Sequence, residues 1–233
     1  MQKQIVEIAQ DANIRIIGPN CMGVTNFNNG FSSGDLEMDN STQPVGKTAT
    51  IAQSGVIRNI FIDWASIQYI GFSKAVKLGN KIDVDEIDMI KYFKSDSETN
   101  IITIYLEGTK RGKELIEILK NINKSVLILK SGKTKSDRNA VPSHTGSIAG
   151  DDKIYEAVIN YSPGVYRIDD FYEMINIAHI FSTQPLPGGK NVAVITGSGS
   201  LGILTCDQIQ VHKLKVPQLS QNTVQKIKSV IPG

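Results

Sequence analysis

Cysteine, histidine and tryptophan are scarce in this chain, whose 233 residues include two cysteines, three histidines and one tryptophan. Cys21 and Cys206 lie far apart and lack the spacing of metal ligands, so we expect neither a zinc site nor a disulfide framework. This cysteine usage fits a reducing compartment. The sequence therefore predicts a cytoplasmic protein.

Long apolar runs and blocks of like charge are also missing. No apolar run approaches the roughly 18 residues that a membrane span needs, and the first residues, MQKQIVEIAQ, are typical of an amphipathic helix rather than a signal peptide. The net charge is +2, and the 25 lysines and arginines are dispersed along the chain. We therefore expect neither a membrane nor a nucleic acid as partner.

Short β-rich runs alternate with amphipathic segments at the spacing of βαβ units. The predicted strands are Thr48–Ala52, Phe72–Leu78, Ile101–Leu106, Val126–Lys130 and Val165–Ile168. The predicted helices are Val56–Tyr69, Val84–Ser95, Lys110–Asn121, Ser147–Tyr161 and Asp170–Ser182. Right-handed crossovers bring such strands into a parallel sheet with helices on both faces. The predicted fold class is α/β, a flavodoxin-like doubly wound parallel sheet with partial flanking βα pieces at both ends.

The same pattern divides the chain into four segments. Residues 46–182 form the predicted flavodoxin-like domain, and the proline- and glycine-rich stretch TQPLPGGK (183–190) is typical of a linker. Residues 191–233 begin with a predicted strand, a glycine turn and a helix, and we expect them to be the start of a second, truncated flavodoxin-like domain. Residues 1–45 hold a predicted helix, one strand (Ile14–Ile17) and the loop GPNCMGVTN, which is again too little for a domain.

His144 lies in the segment SHTGSIAG, among small, hydroxyl-bearing and glycine residues at a predicted loop-to-helix junction. Such neighbours leave room around the imidazole. A helix that begins near Ser147 would direct free N–H groups and its positive dipole end to the same space. These surroundings suit a histidine that receives a phosphoryl group, and the alternative is a solvated loop histidine.

Two further turns place polar groups at the carboxyl ends of predicted strands, where parallel sheets bind ligands. Ser54 and Gly55 follow the first of these strands and open a helix, which suits a phosphate. Glu107 ends the apolar strand Ile101–Leu106 and could orient His144 by accepting a hydrogen bond from one ring nitrogen. Alternatively, Ser54 is only an N-cap and Glu107 is a solvated strand-end residue.

Seven motifs occur in order along nearly the whole chain: GPNCMGVTN, AQSGVIRN, KLGN, IDVDEID, YLEG, LKSGKT and SHTGSIAG. Together they resemble the NDP-forming acyl-CoA synthetases, the ADP-forming acetyl-CoA synthetase relatives of succinyl-CoA synthetase. The resemblance implies a reversible reaction in which acyl-CoA, ADP and phosphate yield free acid, coenzyme A and ATP. It also implies that residues 1–45 are the remnant of a CoA-binding Rossmann domain with its linker.

The resemblance further implies roles for individual residues. His144 becomes phosphorylated, and Glu107 orients its imidazole. The residues implied to hold the phosphate are Ser54, Gly55, Thr145 and Gly146. The residues implied to contact coenzyme A and the acyl group are Asn20, Cys21, Gly23, Gly79 and Asn80.

In the family that the chain resembles, coenzyme A and ADP or ATP are substrates, and Mg²⁺ accompanies the nucleotide on an ATP-grasp domain. This sequence shows neither a metal-ligand cluster nor an ATP-grasp segment. The resemblance therefore implies an ATP-grasp domain or subunit as partner, a small carboxylic acid or acyl-CoA as substrate, and an oligomer.

The sequence also departs from the family. Ser200, in the turn TGSGSLG, stands where the family usually has glycine. Two alternatives to an enzyme are a noncatalytic regulatory module, like that attached to some protein acetyltransferases, and an inactive fragment. Because such modules tend to have lost the histidine, the presence of His144 and Glu107 favours the enzyme.

Overall fold

Five parallel strands form the centre of a sheet in the computed structural model, which describes residues 2–34, 44–132 and 152–231. The seven strands of this sheet run in the order β2-β1-β4-β3-β5-β6-β7. Their bounds are β1 Val24–Asn26, β2 Phe31–Ser32, β3 Val45–Ala52, β4 Phe72–Lys77, β5 Ile101–Leu106, β6 Ser125–Lys130 and β7 Val165–Ile168. Strands β4, β3, β5, β6 and β7 pair in parallel, whereas β1 is antiparallel to both β4 and β2.

Helices follow the parallel strands, as the sequence pattern predicts. Their bounds are α1 Gln2–Asp11, α2 Gly55–Ile67, α3 Glu86–Ser95, α4 Gly112–Lys120, α5 Asp152–Asn160, α6 Phe171–Thr183, α7 Gly199–Val211 and α8 Gln221–Val230. The five predicted core strands are found to within a few residues, and their order corresponds to the flavodoxin arrangement. The predicted α/β doubly wound class is thus confirmed. Residues 147–151 of the predicted helix Ser147–Tyr161 lie outside the described residues.

Helices cover both faces of the sheet, so the parallel strands are apolar on both sides. On one face, α3 and α4 pack residues such as Ile87, Phe93 and Leu119 onto the sheet. On the other face, α2 and α6 do the same with residues such as Phe61 and Met174. This double cover leaves the strand ends as the places where polar side chains of the sheet can meet a ligand.

The predicted strand Ile14–Ile17 is wrong, because the structure has no strand there. The backbone of Ile16 bonds to the Asp83 side chain and to the Val84 backbone instead of to a neighbouring strand. The Ile16 N–H donates to Asp83 Oδ2 over 2.6 Å, and the Val84 N–H donates to the Ile16 carbonyl over 3.0 Å. Arg15 adds an ion pair with Asp83 at 3.0 Å.

The predicted strand at the start of residues 191–233 is also wrong. Within the described residues, its pairing is reduced to one parallel bridge between Asn191 and Lys215, and Ile195 is 96% exposed. A strand needs a neighbour along its length, and this segment has one only at its first residue. The helix that we expect after the glycine turn is present as α7, and Ser198 caps it by accepting a hydrogen bond from the Leu201 N–H.

The chain divides into two compact units, Met1–Gln184 and Pro185–Gly233. The first contains the entire seven-stranded sheet, so that β1 and β2 of the N-terminal segment extend the flavodoxin-like sheet directly. The second contains α7 and α8, and Ile209 is its buried apolar residue among those described. Of the helices that the structure describes, none has the length and apolar character to cross a membrane.

Candidate functional site

A crevice is expected where the strand order reverses, between the carboxyl ends of β3 and β5, because the chain leaves these neighbours in opposite directions. Gln53, Ser54 and Gly55 follow β3, and Glu107 and Gly108 follow β5. The structure thus brings Ser54 and Gly55, which are predicted to bind phosphate, and Glu107, which is predicted to orient the histidine, to the same edge of the sheet. The end of β6 reaches the same edge, since the Ser131 N–H donates to the Leu106 carbonyl over 3.0 Å.

The N-terminus of α2 opens at this crevice. Ser54 is its N-cap residue with extended backbone angles, yet among the described residues its side chain makes no capping hydrogen bond. The hydroxyl and the free N–H groups of the first turn are therefore all disposed to bind an anion. Ser54 is thus an N-cap by its backbone, and within the described part of the chain its hydroxyl is not used for capping.

Gly55 permits a close approach at the start of the same helix. A Cβ at this position would lie 1.9 Å from Met22 Sδ and 2.9 Å from Lys77 Cδ. Any larger residue would push these side chains away. Glycine at position 55 thus lets the 18–24 loop and the end of β4 pack directly on the first turn of α2.

Glu107 is only 3% exposed. This burial disagrees with the alternative of a solvated strand-end residue. Burial raises the pKa of the neighbouring Tyr105, and the negative charge of Glu107 raises that pKa further. A buried carboxylate at a ligand-binding strand end is suited to hold or orient a hydrogen-bond donor.

The Glu107–Gly108 turn is held by three buried polar side chains. Gln53 Oε1 accepts hydrogen bonds from the N–H groups of Glu107 and Gly108, over 2.5 and 3.0 Å. Lys130 Nζ donates to the Glu107 carbonyl over 2.9 Å, and Lys81 Nζ donates to the Gly108 carbonyl over 2.7 Å. Because both N–H and both carbonyl groups of the turn are bonded, the position of the Glu107 backbone is closely fixed.

Lys81 also forms a buried ion pair, with 2.8 Å between its Nζ and Glu86 Oε2. Glu86 is 1% exposed, and its second oxygen has no hydrogen-bond partner among the described residues. Burial raises the pKa of the nearby Tyr155 to about 12, and the charge of Glu86 contributes to this rise. Lys130 Nζ lies 5.1 Å from the centre of the Tyr155 ring, a distance typical of a cation–π contact.

Sequence reasoning missed Gln53, Lys81 and Lys130. The signal that could have found two of them is a polar residue at the end of an apolar strand: Gln53 follows TATIA and Lys130 follows SVLIL. Lys81 lies in the turn after β4, with a positive φ of 53°, and nothing local to it reveals its bond to Gly108.

The residues that the resemblance assigns to coenzyme A come together beside this crevice. The Asn80 N–H donates to the Pro19 carbonyl over 2.9 Å, and the Lys77 N–H donates to the Gly23 carbonyl over 3.2 Å. Arg58 of α2 is buried, and its Nη1 donates to the Met22 carbonyl over 3.0 Å. The 18–24 loop is thereby attached both to the turn after β4 and to α2.

A cavity of about 430 Å³ lies on this loop, and its lining includes Cys21, Met22 and Gly23. The Cys21 thiol donates to the Ile17 carbonyl over 3.5 Å. Gly79 meets the loop from the other side, since a Cβ there would lie 2.2 Å from the Pro19 carbonyl oxygen. Asn20, Cys21, Gly23, Gly79 and Asn80 are therefore neighbours in the structure, and their contact with coenzyme A stays a prediction.

His144, Thr145 and Gly146 lie outside the described residues. Their distance from Glu107 and from the α2 N-terminus therefore stays a prediction. Among the residues that are described, no group of three histidine, cysteine, aspartate or glutamate side chains could hold a metal ion.

Comparison with known proteins agrees with this fold. Residues 45–181 match the family model of the succinyl-CoA ligase-like flavodoxin domain. The chain therefore belongs to that family, and its resemblance to the ADP-forming acetyl-CoA synthetases is confirmed.

Three relatives show how much of such proteins the chain covers. It is 37% identical to an ADP-forming acetate–CoA ligase of Methanocaldococcus jannaschii. The match includes the full length of this chain and 32% of the length of that relative. It is 38% identical to the alpha subunit of the ADP-forming acetate–CoA ligase II of Pyrococcus furiosus. That match includes 99% of this chain and 50% of the length of the subunit. A structure of the dinucleotide forming acetyl-coenzyme A synthetase 1 of Ca. Korarchaeum cryptofilum, in complex with phosphate and ADP, superposes with a TM-score of 0.90 at 28% identity, covering 99% of this chain and 50% of that one. The chain thus spans about a third to a half of the length of these relatives.

Proposed function

We propose that this chain is the CoA-ligase core of an ADP-forming acyl-CoA synthetase, which reversibly converts acyl-CoA, ADP and phosphate into free acid, coenzyme A and ATP through a phosphohistidine at His144. The observation that carries the proposal is the crevice itself. A buried carboxylate, Glu107, lies there in a fixed turn beside an open helix N-terminus at Ser54 and Gly55. The similarity to ADP-forming acetate–CoA ligases supports the same assignment.

The reaction has three steps, which the site residues serve in different ways. Phosphate attacks the thioester carbonyl carbon, the C–S bond breaks, and coenzyme A leaves as a thiol after taking up a proton. A ring nitrogen of His144 then attacks the phosphorus of the acyl phosphate, and the P–O bond to the acyl group breaks to release the carboxylate. Finally the N–P bond breaks as a terminal oxygen of ADP takes the phosphoryl group. Each step is a transfer between oxygen, sulfur or nitrogen nucleophiles, without a change in oxidation state.

The proposed roles follow from charge and hydrogen bonding. Glu107 accepts a hydrogen bond from one nitrogen of His144 and so leaves the other free as nucleophile. The first turn of α2, with Ser54 and Gly55, binds the phosphoryl oxygens, and Thr145 and Gly146 complete this subsite. The loop and turn that contain Asn20, Cys21, Gly23, Gly79 and Asn80 form the wall for coenzyme A and the acyl group.

The nucleotide half of the reaction is assigned to an ATP-grasp domain or subunit. That part would bind ADP or ATP and hold Mg²⁺ with the nucleotide, where the ion neutralises the charge of the phosphates. The alpha-subunit name of the Pyrococcus furiosus relative supports a divided enzyme. We propose a small carboxylic acid such as acetate as substrate, an oligomeric assembly and a cytoplasmic location.

Labelling with a phosphoryl donor tests the proposal without a nucleotide partner. Because the second step needs only acyl phosphate, the chain should incorporate label from acetyl [³²P]phosphate, and the label should be acid-labile and base-stable. His144→Asn should abolish it. His212→Asn, which changes an exposed histidine at the end of α7, is the matched control and should be labelled like the parent. Equal labelling of the His144 variant would remove this histidine from the mechanism.

A further inference from the structure

Gln53 carries a buried hydrogen-bond donor that the proposed roles leave unused. The residue is 2% exposed, and its Nε2 has no hydrogen-bond partner among the residues that the structure describes. Buried amide donors without an acceptor are uncommon in folded proteins, because burial removes their bonds to water. A donor of this kind beside a ligand crevice indicates an acceptor that arrives with the ligand.

The orientation of the Gln53 amide is fixed by its own contacts. The Oε1 atom accepts from two backbone N–H groups, those of Glu107 and Gly108. Exchanging oxygen and nitrogen would place an NH₂ group against two donors, so the hydrogen-bond pattern itself assigns the two atoms. The NH₂ group therefore lies on the side of the carboxamide that faces away from the β5 turn.

The ligand that could supply the acceptor is an oxyanion. Gln53 directly precedes Ser54, the N-cap residue of α2, so its backbone is continuous with the anion-binding first turn. Its side chain reaches from the end of β3 to the turn after β5 and thus crosses the base of the crevice. A tetrahedral oxyanion bound at the helix N-terminus has several acceptor oxygens and can accept from a second direction at once.

We propose that Gln53 Nε2 donates a hydrogen bond to an oxygen of the phosphoryl group that binds at the α2 N-terminus, whether this is inorganic phosphate or acyl phosphate. This assignment rests on the proposed function. Gln53 then has two tasks: Oε1 fixes the turn that carries Glu107, and Nε2 contacts the phosphoryl group. One side chain thereby sets the separation between the orienting carboxylate and the phosphorus.

A nuclear magnetic resonance titration of the ¹⁵N-labelled 233-residue chain with potassium phosphate tests the contact without any substitution. The side-chain NH₂ signals of Gln53 and the backbone N–H signal of Gly55 should shift together along one binding curve. The side-chain signals of Gln68, the exposed residue at the other end of α2, should stay in place. A shift of Gly55 without Gln53 would overturn the Gln53 assignment alone. If neither moves, both this assignment and the phosphate subsite of the proposed function are wrong.

Gln53→Glu tests the same contact with acyl phosphate. The variant keeps an acceptor for the two N–H groups but replaces the NH₂ donor by a negatively charged oxygen. The acetyl phosphate concentration that gives half-maximal labelling should rise by at least about tenfold, as expected for the loss of a charge-assisted hydrogen bond. Gln68→Glu makes the same chemical change at the far end of the helix and should leave that concentration unchanged.

A purely structural Gln53 would give a different pattern. The variant would then melt at a lower temperature but reach half-maximal labelling at the parent concentration, and this result would overturn the assignment. If the variant does not fold, the titration of the unmodified chain decides. If the parent chain is not labelled, the proposed phosphohistidine is wrong. The phosphate titration would then still test whether Gln53 contacts phosphate.

Discussion

At the scale of single residues, some side chains of the candidate site can be predicted from the sequence and others cannot. Ser54, Gly55 and Glu107 can be predicted, because they lie in the turns after apolar strands and carry features typical of ligand sites. Gln53 and Lys130 also lie at the ends of apolar strands. The bonds that Gln53, Lys81 and Lys130 make to Glu107 or Gly108 cannot be predicted, because these partners lie 54, 27 and 23 residues away in the chain. Only the register of the sheet brings these groups together.

Glu107 gives the first prediction at this scale. Glu107→Gln should slow phosphorylation of His144 by about 10- to 100-fold, as is typical when a residue that orients a reacting group is lost. The amide is similar in shape, and Gln53 and Lys130 bond to the backbone of residue 107. The fold should therefore survive. The rate of labelling by acetyl phosphate, followed under single-turnover conditions, measures the effect.

Glu117→Gln is a suitable control, because it makes the same chemical change on the exposed side of α4. It should be labelled at the parent rate. If Glu107→Gln is also labelled at that rate, Glu107 does not orient the histidine.

At the scale of secondary-structure elements, long and strongly patterned segments are predicted well and short ones are not. The five core strands are recognisable because each is an apolar run, whereas β1 and β2 comprise only three and two residues. Strand β1 exists through its pairing with β4, and β2 through its pairing with β1, which no local pattern shows. The predicted strand Ile14–Ile17 fails for the converse reason, since its apolar residues are suited to a strand but its backbone bonds to Asp83 and Val84.

The packing of the 18–24 loop on the turn after β4 gives a prediction for Gly79. Its φ is +60°, and a Cβ would lie 2.2 Å from the Pro19 carbonyl oxygen. Because the clash is with backbone and adds to the cost of a left-handed conformation, Gly79→Ala should lower the free energy of unfolding by at least about 2 kcal/mol. It should also separate the loop from the turn and weaken the wall proposed for coenzyme A.

Urea unfolding followed by tryptophan fluorescence measures this effect, because Trp64 of α2 is the single tryptophan of the chain and reports on the first compact unit. Gly112→Ala is the control, since a Cβ at the first position of α4 meets nothing within 4 Å. Alanine should be neutral or stabilising there, by up to about 1 kcal/mol. Equal stabilities of the two variants would show that the close approach at Gly79 is not maintained in solution.

At the scale of the whole molecule, the chain has two compact units, and the candidate site belongs to the first of them, Met1–Gln184. The family and the doubly wound fold can be recognised from ordered motifs and from strand alternation, and the structural match to a relative at a TM-score of 0.90 agrees with both. The strand pattern does not predict an activity, which is proposed from the motifs, and the chain covers 32% to 50% of the relatives' length. The proposed phosphoryl transfer to His144 is the step that this chain would perform with its own residues.

The most direct test of that account locates the phosphoryl group. After incubation with acetyl phosphate, the chain is digested with trypsin at alkaline pH, which preserves phosphohistidine, and the peptides are analysed by mass spectrometry. The account predicts an acid-labile phosphoryl group on peptide 139–153, NAVPSHTGSIAGDDK, whose only histidine is His144. An acid-stable phosphoryl group on a serine or threonine of this peptide, a phosphoryl group on His179 or His212, or no incorporation at all would contradict it.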